Sequence, residues 1–285
     1  MTDFVSNDNE TRKVPKASPC CRYERNEKTA ENLVGIGTTY IAMDQEEGTE
    51  VWWVEIGLEE ANVVLMRHHL DTVLRFNHPN LLKCHTYWIS EESGEIRLYL
   101  IFELMSTTLV HFVKRTKLNN KVIPIKTQLR IARNVLFAIA YLKNQNPPFY
   151  LPNLSAKIVF MTHDGSIKVS AITSNKIIGA ILAGKPVIAN GGGDPLYESF
   201  LNFGRIIYAE ATLDLSSDDL SVLLKTAIDK ELFSAEQIDI ITLILKNKNL
   251  TISNLLRSRF LFVFPALKIM AAMVILRQKI DFSNY

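Results

Sequence analysis

Apolar positions recur along this chain with two different periods, and the change of period divides it. Residues 1 to about 31 show neither period and balance acidic against basic side chains, which predicts a loosely attached polar tail. From Thr38 to Ile56, the β-forming TTYIAM, the turn-like DQEEG and then TEVWWVEI predict a hairpin. Glu59 to Asn77 sets Val63, Met66, Leu70, Val73 and Leu74 on one side of a helix, which His78-Pro79-Asn80 stops. Leu81–Ile89 and Ile96–Leu104 read as two more strands. After Met105 helical spacing dominates, with helices over Leu109–Lys117 and Thr127–Asn144. The second of these is apolar at Leu129, Ala132, Val135, Leu136, Ile139 and Leu142. Short strands between Phe149 and Ile172 flank an HDG turn at His163–Gly165, and from Tyr197 onward the pattern is mostly helical. The expectation is an α+β chain: a small five-stranded, one-helix lobe followed by a larger helical one.

Composition narrows the class. With 285 residues, 47% hydrophobic and 22% charged, the chain has enough apolar surface for a sizeable core. A net charge of +2 argues against a nucleic-acid binder held mainly by phosphate contacts. Cys20, Cys21 and Cys84 are too few for a disulfide framework or a four-ligand zinc site. Together with an opening MTDFVSNDNETRK that lacks the apolar core of a signal peptide, they point to the cytoplasm, with the nucleus open as a second compartment. Phe260–Leu276 is apolar but broken by Pro265 and Lys268, so a buried C-terminal helix is expected rather than a membrane span.

The order of elements is that of a protein kinase, and local strings set the register. HPNLL at 78–82 resembles the segment after helix C, and NPPFYLPNL at 146–154 the lead into the catalytic loop. SIKVS at 166–170 resembles the strand before the magnesium loop, and NFG at 202–204 the start of helix F. AMDQEEGTEVWW (42–53), TYW (86–88), SPCCRY (18–23) and LLRSRFLFVFPALKIMAA (255–272) are similar to the nuclear receptor-binding protein family of pseudokinases, relatives of the with-no-lysine kinases. The resemblance implies a bilobal kinase-like domain over 28–280, with an N-lobe to about 103, a C-lobe from about 104, and a polar tail over 1–27.

Phosphoryl transfer needs a cation on the α/β-phosphates, carboxylates for magnesium and a base near the acceptor hydroxyl. In the register of the resemblance, Val54 stands at the lysine position and Trp52 at the alanine that roofs the adenine. Gly37 stands where the with-no-lysine kinases supply their lysine, and the Gly35-Ile36-Gly37 string reads as a flexible turn, since neither glycine-loop register is complete. His69 replaces the glutamate of helix C; its neighbour His68 diverges by about 100° on a helix, so the two make poor joint metal ligands. Asn153 replaces the base, Ser155 the loop lysine, Ile158 the metal-binding asparagine, and Ala171-Ile172-Thr173 the magnesium-binding DFG. Ile188 and Asn249 replace both halves of a buried ion pair, and Ser199 replaces the helix F aspartate, a brace that a loop without a base no longer needs. No catalytic residue, metal or cofactor is expected, with Trp52 filling the nucleotide space.

The resemblance then implies an inactive adaptor or scaffold in signalling, trafficking or ubiquitin-ligase recruitment. The alternatives are an atypical ATP-binding kinase with displaced catalytic residues, and a decoy competing with a longer relative. Three surfaces are candidates. Leu220, Leu223 and Leu224 form an LxxLL string of the kind that docks into nuclear-receptor grooves, provided the leucines are exposed. Leu267, Ala271 and Ile275 fit the box that recruits Elongin B/C, a pattern that packed helices also satisfy. Lys114, Arg115, Lys117, Lys121 and Lys126 form a basic stretch that is either a solvated loop or a dock for an acidic segment. Rac-type GTPases and leucine-zipper proteins are further partners implied by the resemblance alone.

Overall fold

In the computed structural model, which describes residues 17–29, 37–58, 63–92, 95–162, 164–172 and 194–262, the architecture grows from one strand that is apolar on both faces. That strand is the third of a five-stranded antiparallel sheet formed by β1 (Tyr23–Thr29), β2 (Thr38–Asp44), β3 (Thr49–Leu58), β4 (Cys84–Glu92) and β5 (Glu95–Glu103), in spatial order β1-β2-β3-β5-β4. Because successive strand residues point to opposite faces, Trp52, Val54 and Ile56 line one side of β3 while Val51 and Trp53 line the other, and all five are buried. On the second side Trp53 meets Trp88 and Tyr99 edge-on, with Trp88 stacked flat on Tyr99 at 5.0 Å, and Tyr23, Tyr40 and Ala42 complete the cluster.

The polar tail expected up to residue 27 is instead structured from Ala17, and Tyr23–Thr29 is the edge strand β1. Its polar letters cover the aromatic layer. Tyr23 is buried in it, and the Arg25 guanidinium lies 4.1 Å over the Tyr40 ring while pairing with Glu55 at 2.9 Å. Glu55 also accepts from the Trp53 indole N–H at 2.9 Å. At the other end of the strand Arg22 grips the buried Asp44 carboxylate through two nitrogens, and that guanidinium holds the acid below the usual carboxylate range.

Gly37 has a structural reason that the flexible-turn reading did not supply. A Cβ there would lie 2.4 Å from the Glu55 carbonyl oxygen and 2.8 Å from Ile56 Cγ1. Gly37→Ala is expected to cost about 1–3 kcal/mol, the usual range for overpacking, read as a lowered urea midpoint with an unchanged slope. An unchanged midpoint would mean that the β2–β3 approach is not tight.

Helix α1 (Val63–Leu74) buries Met66, Leu70 and Val73, as its spacing predicts. After it the HPNLL segment is strapped to a second, three-stranded sheet. This sheet comprises β6 (Thr107–Thr108), β7 (Val159–Met161) and β8 (Ile167–Val169). Leu82 N–H donates to the Val169 carbonyl at 2.9 Å, Val169 N–H to Asn80, and the Asn80 side-chain amide to Ile167. These elements belong to one packing unit, made of residues up to Arg115 and those of Asn153–Gly193. Helix α2 (Leu109–Leu118) begins in it.

The second unit takes Thr116–Pro152 and the residues from Asp194 onward. Here α3 (Ile125–Lys143) packs on α4 (Pro195–Thr212), and α4 packs on α5 (Leu220–Asp229) and α6 (Ala235–Lys246). A short α7 (Ile252–Leu256) follows. Each start carries a local signal: Asp194 caps α4 with Pro195 in its first turn, Asp219 caps α5, and Ser234 with Gln237 closes a capping box on α6. Among the described residues no helix is long and apolar enough to cross a membrane. The apolar segment from 263 onward lies outside them.

One buried group in this unit has no compensation. Glu210 on α4 is fully buried, and neither carboxylate oxygen has a hydrogen-bond partner among the described residues. Burial raises its pKa well above the ordinary value. A raised folded-state pKa stabilises fully below the unfolded value, about 4.3, and that contribution is lost as pH climbs through the folded value. Glu210→Gln keeps the shape and cannot ionise. Its melting temperature relative to the parent is therefore expected to rise from pH 5 to pH 8. A difference that stays constant over that range would mean that the folded-state pKa of Glu210 is not raised into it.

Candidate functional site

Strand β3 delivers the first two site positions onto one face. Val54 sits in the sheet opposite Thr39 on β2 and Leu100 on β5, and its side chain is buried. Two residues earlier, Trp52 lies on the same face of the strand. Its indole is buried and meets the Phe160 ring of β7 edge-on, with centroids 5.4 Å apart. Such a pair contributes ~0.5–1.5 kcal/mol beyond the area it removes from water.

The positions matched to metal ligands lie on the neighbouring segments. Ile158 closes a 3-10 turn, Ala156–Ile158, and is buried; its carbonyl accepts from Ser170 N–H at 2.9 Å. Ala171 and Ile172 follow at once and are also buried, with the Ser170 hydroxyl donating to the Ile172 carbonyl at 2.7 Å. Thr173 and Ile188 lie outside the described residues. Asn153 is exposed and brings an amide, not an acid. The Asp164 carboxylate is exposed in the turn after β7, where it accepts from the Thr162 hydroxyl and from both N–H and hydroxyl of Ser166. Those bonds lower its pKa and tie it to its own turn. Nearby, Lys168 on β8 clamps the Glu103 carboxylate at the end of β5 through both oxygens, at 2.8 and 2.7 Å, and Glu103 also accepts from Lys83 N–H.

On α1, His69 is partly buried and His68 exposed. Burial, then the neighbouring His68, pushes the His69 pKa down and favours its neutral form. Among the described residues no group of three His, Cys, Asp or Glu side chains is placed to share a metal ion.

Contrary to the expectation of a lost brace, the catalytic-loop segment keeps one. Ser199, fully buried on α4, still performs it: its Oγ accepts from Leu151 N–H at 3.2 Å and donates to the Pro195 carbonyl at 2.8 Å. Asn202, one turn on, donates to the Pro152 carbonyl at 2.6 Å and is itself held by Arg205. A hydroxyl and an amide thus hold the loop backbone without an aspartate.

The LxxLL candidate also needs correction. Leu220 and Leu223 are buried and Leu224 is partly covered, whereas the intervening Ser221 and Val222 are exposed. Leu220 lies against Gly204 of α4, where a Cβ would come within 2.6 Å of it. Leu223 joins Tyr208 and Ala227, with Phe233 packed against them. The string is core, not an open docking helix. Leu267, Ala271 and Ile275 lie outside the described residues. The basic residues Lys114, Arg115, Lys117, Lys121 and Lys126 are all exposed.

No family model matches the chain. It is similar to a nuclear receptor-binding protein homolog of Drosophila melanogaster, 29% identical over 225 residues, covering 76% of this chain and 35% of that protein. It is similar to the nuclear receptor-binding protein 2 of Mus musculus, 31% identical over 170 residues, covering 56% of this chain and 34% of the mouse protein. It also matches the serine/threonine-protein kinase WNK of Caenorhabditis elegans, 28% identical over 183 residues, covering 60% of this chain and 10% of the kinase. The chain thus spans about a third of the length of the nuclear receptor-binding proteins it matches. Sheet-then-helix order, the registered strings and these relatives agree: the chain is similar to the nuclear receptor-binding proteins and has an α+β kinase-like fold related to that of the WNK kinases.

Proposed function

We propose that this kinase-like domain is a pseudokinase that binds neither nucleotide nor magnesium and works as a protein-binding adaptor or scaffold. The observation that carries this reading is the packing of Trp52 on Phe160 with Val54 beside it on the same strand face. Phosphoryl transfer depends on fixed charges around the phosphates. At the matched positions the chain has hydrocarbon from Val54, Ile158 and Ala171, buried where an unpaired charge would itself be costly. A phosphotransfer assay with radiolabelled ATP and Mg²⁺ or Mn²⁺ tests it. Incorporation into the protein or a generic substrate is expected to match a heat-denatured control. Metal-dependent transfer above that control would support the atypical-kinase alternative.

The partners belong to the same reading. Relatives of this chain are named for binding a nuclear receptor. With Leu220 and Leu223 buried, such a partner would be taken through a surface other than 220–224. Recruitment of Elongin B/C through Leu267, Ala271 and Ile275, and capture of Rac-type GTPases or leucine-zipper proteins, rest on resemblance. The same holds for work in the cytoplasm or nucleus.

A further inference from the structure

The connection between α2 and α3 exposes a surface that the fold does not use. Leu118, Val122 and Ile125 keep 83%, 79% and 48% of their surface in contact with solvent. Consecutive members are four and three residues apart, so no pair of neighbours can be separated by more than about 14 Å. Interleaved with them are Lys117, Lys121 and Lys126, all exposed, and none pairs with a described carboxylate. The surrounding sequence offers little to neutralise them: between Glu103 and Asp164 the chain has no acidic residue.

This segment is held, not loose. Asn120 takes a left-handed turn at φ 50°, and Lys121 N–H returns to the Thr116 carbonyl at 3.1 Å. Ile123, between the exposed positions, is buried. Its carbonyl accepts from the Gln128 amide at 2.8 Å, and the Gln128 oxygen in turn accepts from Gln237 on α6 at 2.8 Å, both glutamines buried. A loop fixed from beneath by a buried amide relay, yet presenting three large aliphatic side chains outward, has its ordering cost met before any partner arrives.

We propose that Lys117, Leu118, Lys121, Val122, Ile125 and Lys126 form a docking surface for an acidic, aliphatic-rich segment of a partner protein. Charge complementarity selects that occupant: carboxylates for the three ammonium groups, and aliphatic side chains for the three between them. An anionic lipid surface fits less well. The patch has no Trp, Tyr or Phe to seat at a headgroup boundary, and the chain as a whole carries only +2. The inference deepens the adaptor reading and rests on it.

Fluorescence anisotropy on the full chain tests it, with a dye-labelled peptide alternating Glu with Leu and Val as the probe. A Gln-for-Glu version of the peptide and vesicles of phosphatidylcholine with phosphatidylserine serve as comparisons. The acidic peptide is expected to bind at low salt and weaken as salt rises. Lys117→Glu/Lys121→Glu/Lys126→Glu and, separately, Leu118→Ser/Val122→Ser should each weaken it ~10-fold or more. Both variants change exposed side chains, and an unchanged melting temperature confirms that they fold. No binding, equal binding of the Gln peptide, or indifference to both variants would overturn the proposal. So would vesicle binding without peptide binding, which would assign the patch to lipid. The phosphotransfer result is unaffected by any of these outcomes, so the two readings can fail separately.

Discussion

Trp52→Ala is expected to destabilise the domain by about 3–5 kcal/mol, lowering its melting temperature by on the order of 10 °C. The indole is buried on the same face as Val54 and edge-on to Phe160, so truncation removes its transfer contribution and leaves a void against the ring. In a nucleotide-binding relative the space would be shaped for adenine, and an alanine would suit it. Here the tryptophan is part of the core. Trp52→Phe should recover more than half of the loss, because it restores most of the volume and the edge-on contact. Chemical denaturation of the three proteins checks this. A loss below about 1 kcal/mol for the alanine variant would mean that the indole fills no core space, and the case for a closed nucleotide site would go with it.

Leu223→Ala should cost about 2–5 kcal/mol, whereas Val222→Ala, one position earlier, should stay within about 0.5 kcal/mol. The two residues share a helix and differ in what they touch. Leu223 is buried with Tyr208 and Ala227 beside Phe233, and Val222 is 54% exposed. A docking helix would give no such ranking: loss of the leucine would leave folding intact and reduce partner binding. Equal, small effects of both substitutions on the urea midpoint would restore the LxxLL string as an exposed motif.

How much of this could be read from the letters depended on what each element packs against. The TTYIAM–TEVWWVEI hairpin and the helices around Met66 and Leu136 were legible because their cores are hydrocarbon, which periodicity reports directly. Strand β1 was not, since it reads YERNEKT. Its Arg25 is covered by the Tyr40 ring and paired with the Glu55 carboxylate, and that arrangement leaves no hydrophobic trace. A cue was present in Tyr23 and Arg25, two apart and so on one face of a strand. For the site, the identities at Trp52, Val54, Ile158 and Ala171 came from register. That Trp52 points inward onto Phe160 is a tertiary fact. Ser199 shows the reverse limit: replacing an aspartate suggested a lost brace, but an oxygen at the same place still accepts the Leu151 N–H. The leucines at 220 and 223 satisfy a docking motif and a core stripe equally well, and only their burial separates the two.

The central claim is that the nucleotide space is occupied by the protein itself. A thermal-shift titration with ATP, run with and without Mg²⁺ or Mn²⁺, tests it most directly. Ligand at about 100 times its dissociation constant would add ~2.7 kcal/mol to the folded state, a shift of several degrees. The account predicts no shift under any of these conditions. A saturable rise with ATP would contradict the closed site, and a rise that requires the metal would return the chain to the kinases that transfer phosphate.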